Sequence, residues 1–295
     1  LYTYQWNAQL DFSLTKEMLL SISYVGVHGL NGFVAYLLNV APAAFKLPNG
    51  KNDYSIAPGV PFPLPRLLNQ RVSALSLFFN QDGQSIYHGG TVTLTKRFSQ
   101  LYSFAANYTW SKAIDNVGNG TPTDAPEDPY RQDLERTRSK QDVPHRFVAS
   151  FTAEGPKRTW LRDFRLSFIG IISSAQYYTL YAGRDVNNDG NSQSDRVDTQ
   201  GRNTYRGDQL VNFDVRVSRQ FRMSDRVRLE AIAEAFNLFN TLNVTDVNTT
   251  YGAADFTGPP PRRFGDNVPA PSRYFAAIRA IAPPRQIQFA LRLNF

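Results

Sequence analysis

Oily and polar side chains alternate along much of this chain. In the last ten residues Ile287, Phe289, Leu291, Leu293 and Phe295 take every second position, and Gln286, Gln288, Ala290, Arg292 and Asn294 fill the gaps. A strand points successive side chains to opposite faces, so this segment is expected to be a strand with one oily and one mostly polar face. Trp6, Ala8, Leu10, Phe12 and Leu14 alternate with Asn7, Gln9, Asp11, Ser13 and Thr15 in the same way. The period of two returns in Leu20, Ile22 and Tyr24, in Val92 and Leu94, in Tyr102 to Trp110, and in Phe147 to Ala153. It returns again from Phe164 to Gly170 and from Val211 to Val217. Spans are expected at 5–15, 18–28, 86–97, 101–111, 146–154, 163–175, 210–221, 226–237 and 286–295. The span 226–237 is ambiguous by pattern. Val227, Leu229, Ala231, Ala233 and Ala235 fit a strand, whereas Leu229, Ile232, Ala233 and Phe236 fit a helix face.

Between these spans the chain reads as loop. Residues 29–84 contain Pro42, Pro48, Pro58, Pro61, Pro63 and Pro65, which oppose a long central strand. Within them Val72–Asn80 fits one extra strand, ahead of an Asp82-Gly83 turn signal. Residues 112–145 (with Pro122, Pro126, Pro129 and Pro144), 183–209 and 241–285 (with Pro259-Pro260-Pro261) also read as loops.

The pattern implies an antiparallel transmembrane β-barrel. Ten residues rise about 34 Å, and a tilt of about 45° projects that to about 24 Å, close to the apolar band of such barrels. Links after Thr15, Phe98, Gly155 and Arg222 are short. Links after His28, Ser111, Tyr181 and Asn240 are long. Outer-membrane barrels show this asymmetry, with short turns on the periplasmic side and long loops outside. The last strand would then run inward, and so would the first. Single-chain bacterial barrels have even strand numbers, so nine spans suggest further strands upstream. The opening Leu-Tyr-Thr-Tyr, without Met or a secretion signal, suggests a mature segment or a fragment.

Composition adds limits. The 295 residues are 42% hydrophobic and 13% aromatic, which argues against global disorder. With no cysteine there is no disulfide framework and no Cys-ligated metal. No run of 18 apolar residues predicts a membrane helix. The net charge of +7 points to solvated surface, anionic headgroups, acidic substrates or nucleic acid. The basic residues are scattered at turns rather than forming a stripe, so nucleic acid ranks last.

The strongest local motif is Asp185-Val-Asn-Asn-Asp-Gly-Asn191. Asp185, Asn187 and Asp189 precede Gly190 at alternate positions, the spacing of calcium loops, and Asn191, Gln193 and Asp195 would add oxygens. The bidentate Glu expected six residues after Gly190 is Arg196 instead. The bland alternative is a solvated turn-rich loop. Lys96, Arg97, Arg219, Arg222, Arg226 and Arg228 near the short turns read as flanks of lipid-facing strands in preference to a phosphate site. Phe98, Tyr102, Phe221 and Phe295 would form an aromatic girdle at that edge, and Trp6, Tyr108 and Trp110 the opposite one. His28, His88 and His145 lack metal-site spacing, and Asp142, His145 and Ser150 lack a nucleophile elbow. No enzyme is expected.

Several ordered segments carry a family likeness. Gly89-Gly-Thr-Val-Thr-Leu-Thr-Lys-Arg-Phe98, Tyr108-Thr-Trp-Ser-Lys-Ala113, Asp142-Val-Pro-His-Arg-Phe147 and Gly201-Arg-Asn-Thr-Tyr-Arg-Gly207 are among them. Glu234-Ala-Phe-Asn-Leu-Phe-Asn240 and the terminal Phe295 complete the set. Together they resemble the C-terminal barrel of TonB-dependent receptors of the Oar-like type. The resemblance implies that 226–237 is a strand. It implies that residues 1–295 are the last part of a 22-stranded barrel, with the plug, TonB box and early strands absent. It further implies energised import of a large or scarce solute, such as a ferric chelate, vitamin or saccharide. The implied partners are outer-membrane lipid, an unknown solute, the TonB complex through the plug, and the barrel-assembly machinery through the strand ending in Phe295. The competing reading is a secreted or surface calcium-dependent β-protein used in adhesion. It would bury Phe289, Leu291 and Leu293 in a protein core.

Overall fold

The computed structural model describes residues 2–55, 77–116, 125–197, 201–251 and 277–295. Its frame is nine long strands. These are β1 (Tyr2–Ser13), β2 (Met18–Leu37), β3 (Leu77–Ser99), β4 (Tyr102–Asp115) and β5 (His145–Glu154). β6 (Phe164–Ser173), β7 (Leu210–Arg222), β8 (Arg228–Phe236) and β9 (Gln286–Asn294) follow. Each strand pairs antiparallel with its neighbour in sequence, so the sheet is a simple meander from β1 to β9. A two-residue strand, Thr137–Arg138, is added to the end of β4.

Register carries the alternation from strand to strand. Leu10 pairs with Ile22, Ile22 with Val92, Val92 with Tyr108, Tyr108 with Phe147, and Phe147 with Ile172. This row crosses six strands on one face, and every member is at least 40% exposed. One residue along, Gln9, Ser23, Thr91, Thr109 and Arg146 make the matching row on the other face. There Thr91 and Thr109 share a 3.0 Å hydrogen bond, and Thr93 donates to Asn107 at 2.8 Å. On β7–β9 the same face holds Arg216 beside Glu230 and Glu234, and Arg292 beside Glu230. Ser218 and Glu230 on this polar face are buried, while Phe289 and Leu291 on the oily face are 81% and 74% exposed. Water would penalise such an outward face, which suits hydrocarbon. Among the described residues no helix is long and apolar enough to cross a membrane.

The two faces should respond oppositely to charge. Val217 sits on the oily face near the middle of β7. Val217→Arg is expected to lower the stability of the intact protein in vesicles by about 2–4 kcal/mol. Gln9→Arg, on the polar face beside Asp11, is expected to change it by less than about 0.5 kcal/mol. Urea unfolding of both variants measures the contrast, and equal effects would refute the assignment of faces.

All nine expected spans are strands, including 226–237, which forms β8 rather than a helix. Four loop expectations need correction, the first being 112–145, where β4 runs on to Asp115 and Thr137–Arg138 pairs with its end. β2 continues past His28 to Leu37, β3 already begins at Leu77, and Phe45–Lys46 pairs with Asn52–Asp53, so most of the described part of 29–84 is strand. The Asp82-Gly83 turn signal lies inside β3. Two irregularities at Leu30/Gly32 and Gly32/Val34 accommodate the extra residues, helped by Asn31 at φ 59. Gly83 faces this bulge, and a Cβ there would lie 2.7 Å from the Gly32 carbonyl oxygen. Glycine is what lets the backbones pass. Within 183–209, Tyr205–Arg206 pairs with Tyr177–Tyr178. Within 241–285, Val244–Val247 pairs with Ile278–Ile281. Residues 72–76 of the expected Val72–Asn80 strand lie outside the described residues, as do Pro58, Pro61, Pro63, Pro65, Pro122 and Pro259–Pro261.

Candidate functional site

The short links after β1, β3, β5 and β7 gather at one end of the sheet and the long links after β2, β4, β6 and β8 at the other. β2 and β3 are 20 and 23 residues long, roughly twice what a tilted membrane strand needs. Their surplus therefore projects beyond the membrane at the long-link end. There the chain buries what the strands leave exposed. Val34, Ala35, Leu37, Val40 and Tyr54 are at most 5% exposed. A second cluster joins Tyr178, Leu180, Val197, Tyr205, Val247 and Tyr251.

Hydrogen bonds tie the links into a cap. The Tyr54 ring stacks on Tyr130, and its hydroxyl donates to Asp128 at 2.5 Å. Tyr130 donates to the Val40 carbonyl at 2.7 Å. The Tyr54 amide donates to the Asn187 carbonyl at 2.8 Å, and the Asn187 side chain donates to the Glu127 carbonyl at 2.6 Å. Three links thus converge on the Asp185–Asp195 turn. Beside it lies a cleft of about 280 Å³, lined by Lys46, Lys51, Glu127, Asp128, Arg131 and Arg196 among others.

The expected ligand residues Asp185, Asn187, Asp189, Asn191 and Asp195 do share this turn. Asp189 and Asp195 are fully buried. Gly190 supplies the φ of 90 that the tight turn requires. Asn187 Oδ1 accepts the Asp189 amide at 3.0 Å, and Asn191 Oδ1 accepts the Gln193 amide at 3.1 Å. Gln193 itself is exposed. Burial, with backbone hydrogen bonds opposing and Asp185 adding repulsion, pushes the Asp189 carboxyl up to about 7. Burial and the Asp189 charge push Asp195 up to about 8. Arg196 turns away to Glu135 and Glu127. Among the described residues, no group of three or more His, Asp or Glu side chains forms a ready metal cage. Glu127 and Glu135, which hold Asn187 and Arg196, lie about sixty residues upstream of the turn, where no local motif marks them.

The remaining candidates separate. His145 is on the oily face and hydrogen-bonded to the Tyr108 hydroxyl at 2.8 Å, while Ser150 is on the polar face. Asp142 pairs with Arg138 and accepts the Ala113 amide. They form no triad. His88 bonds Tyr24 at 2.7 Å and meets the Trp6 ring edge-on, and Trp110 pairs in register with His145. This places Trp6, Tyr108 and Trp110 in one aromatic band near the long-link end. At the short-turn end Lys96 lies 4.0 Å over the Tyr102 ring, and Arg219 lies over Phe164 and Phe221. Phe98 and Phe295 are exposed there. Lys96 and Arg219 thus sit on aromatic rings, while Arg222 pairs with Asp225.

An oily outward face, a polar inner face, two aromatic bands and one end of long structured links define a bacterial outer-membrane β-barrel protein. A family model described as outer membrane beta barrel domain matches residues 1–200 and 194–288, and the chain belongs to that family. Among solved structures it is similar to FpvA of P. aeruginosa bound to heterologous pyoverdines, at 12% identity and a TM-score of 0.50. That alignment covers 99% of this chain and 27% of that one. FpvAI in complex with pyocin S2 aligns at 11% identity and 0.50, over 99% and 26%. The E. coli K12 ferric-catecholate import receptor Fiu aligns at 11% and 0.49, over 99% and 27%. These neighbours are TonB-dependent receptors, and the shared feature is the barrel fold. The chain spans about 27% of their length. No curated protein matches its sequence.

Proposed function

We propose that the chain is the C-terminal part of a TonB-dependent receptor barrel that takes part in energised uptake of a large or scarce solute across the outer membrane. The observation that carries this reading is the combination of a nine-strand oily-out, polar-in meander with a folded cap of long loops at one end only. A porin-like sieve needs no cleft of opposed charges at its mouth, whereas a receptor must hold its solute before moving it. The cleft beside Lys51, Glu127 and Arg131 is where an arriving solute would be held. The adhesion reading is weaker, because Phe289, Leu291 and Leu293 lie exposed rather than in a protein core.

The test is uptake in the source bacterium across ferric chelates, vitamins and saccharides. Deleting the gene is expected to abolish uptake of one class, and deleting TonB to abolish the same class. In the intact receptor Lys51→Ala with Arg131→Ala is expected to raise the half-saturating concentration about tenfold. Uptake of every class unchanged by both deletions would reject the reading.

A further inference from the structure

We propose that the Asp185–Asp195 turn of the cap is a divalent-cation site, selective for Ca²⁺, built from the carboxylates of Asp185, Asp189 and Asp195 with amide and backbone oxygens of the same turn. The proposal stands on how the six carboxylate oxygens are used. Asp185 Oδ2 accepts the Gly190 amide at 2.8 Å, Asp189 Oδ1 accepts the Asn191 amide at 2.7 Å, and Asp195 Oδ2 accepts the Val186 amide. The second oxygen of each, Asp185 Oδ1, Asp189 Oδ2 and Asp195 Oδ1, is buried with no hydrogen-bond partner. Each carboxylate is therefore pinned to the loop by one oxygen and keeps the other dry and free.

That state is unfavourable without a counter-ion. An unsatisfied buried oxygen costs about 1–3 kcal/mol, and more when it is charged. Asp189 and Asp195 are also fully buried, and each lies close enough to be perturbed by other acids of the turn. The nearest buried cation in sequence, Arg196, is committed to Glu127 and Glu135. One divalent ion answers all three free oxygens at once. Asn187 accepts one backbone amide through Oδ1, which leaves a lone pair on that oxygen, and carbonyls of the turn complete a hard-oxygen set. The mixed oxygen set, without nitrogen or sulfur, favours Ca²⁺ over transition metals. The size and flexibility of a turn with several carbonyls favour Ca²⁺ over Mg²⁺. The three side chains form no ready cage among the described residues, so the site requires that the ion draw them in. The closing acid is Asp195, one residue before the position where the sequence carries Arg196. An exterior site of this kind is expected to hold Ca²⁺ with a Kd of about 10⁻⁴–10⁻³ M. The inference does not depend on solute uptake, since it concerns the cap alone.

The test is Ca²⁺ titration of the intact receptor in detergent after chelator treatment, with equilibrium dialysis as the readout and Mg²⁺ as competitor. The wild type is expected to bind at least one Ca²⁺ that Mg²⁺ at equal concentration does not displace. Asp189→Asn with Asp195→Asn is expected to lose that ion, with affinity weakened by at least about a hundredfold. A second readout separates ligation from folding. Ca²⁺ is expected to slow tryptic cleavage after exposed Arg184 in the wild type and to leave the double variant unchanged. Without Ca²⁺ the variant is expected to be cleaved no faster than the wild type, because the substitution relieves repulsion. Absence of Ca²⁺ binding in the wild type up to about 10 mM, ten times the weak end of that range, would overturn the proposal. So would undiminished binding in the variant, or a variant cleaved faster in chelator.

Discussion

Residues 1–295 placed alone in a lipid bilayer are expected not to form a closed, conducting pore. Among the described residues β1 pairs only with β2, and β9 only with β8, so the sheet has two open edges. β1 has 12 residues and β9 has 9, and alternate residues of an edge strand turn their N–H and C=O groups away from the paired side. That leaves roughly five donors and five acceptors per edge, each costing several kcal/mol in hydrocarbon, for a total on the order of tens of kcal/mol. A barrel escapes the cost only by closing, which joins the edges to other strands. The measurement is planar-bilayer conductance of the refolded chain, together with the shift in gel mobility between heated and unheated samples. Discrete stable channels and a heat-dependent mobility shift from these residues alone would show that the edges find each other.

The membrane-spanning part of this fold was legible because its signal is local and periodic. A strand buried on neither side by protein must show its two environments in its own sequence, and β1, β4, β7 and β9 do. The ambiguous 226–237 was not resolved by pattern, because its outward positions are Leu229, Ala231, Ala233 and Ala235. Alanine suits a helix as well as a strand, and the pairing of Ala233 with Val217 and Phe289 that decides the matter is non-local. The extension of β2 to Leu37 was hidden for a different reason. Beyond the membrane its residues pack beneath the cap, so Val34, Ala35 and Leu37 are all buried and the alternation dissolves. The calcium-like spacing of Asp185, Asn187 and Asp189 was plain in the sequence. That Glu127 braces it was not, since those contacts span about sixty residues and leave no local trace.

Arg196→Ala is expected to open the cap while leaving the barrel intact. Arg196 stands where a calcium loop would carry its closing glutamate, and the structure gives it a different task. Its side chain is 3% exposed and lies between Glu127 and Glu135, themselves 7% and 8% exposed. It pairs directly with Glu135 and lies 3.9 Å from Glu127. Glu127 also has Lys51 at 2.5 Å, so it keeps a cation if the guanidinium goes. Among the described residues Glu135 would keep only the Glu127 amide at 3.2 Å, a neutral donor for a buried charge. Breaking a buried pair on one side costs about 3–5 kcal/mol, because a desolvated charge is left without its counter-charge. Hydrogen exchange of amides in 127–135 and 187–197 should therefore speed up by about two to four orders of magnitude, with strand amides of β4 to β8 unchanged. Arg196→Lys should recover part of the loss, since an ammonium supplies charge without the planar fork. Glu135→Gln combined with Arg196→Met should be milder than Arg196→Ala, because no charge is stranded. If Arg196→Ala leaves those amides as protected as before, the ion pair does not hold the cap together, and the stacked Tyr54 and Tyr130 must do so instead.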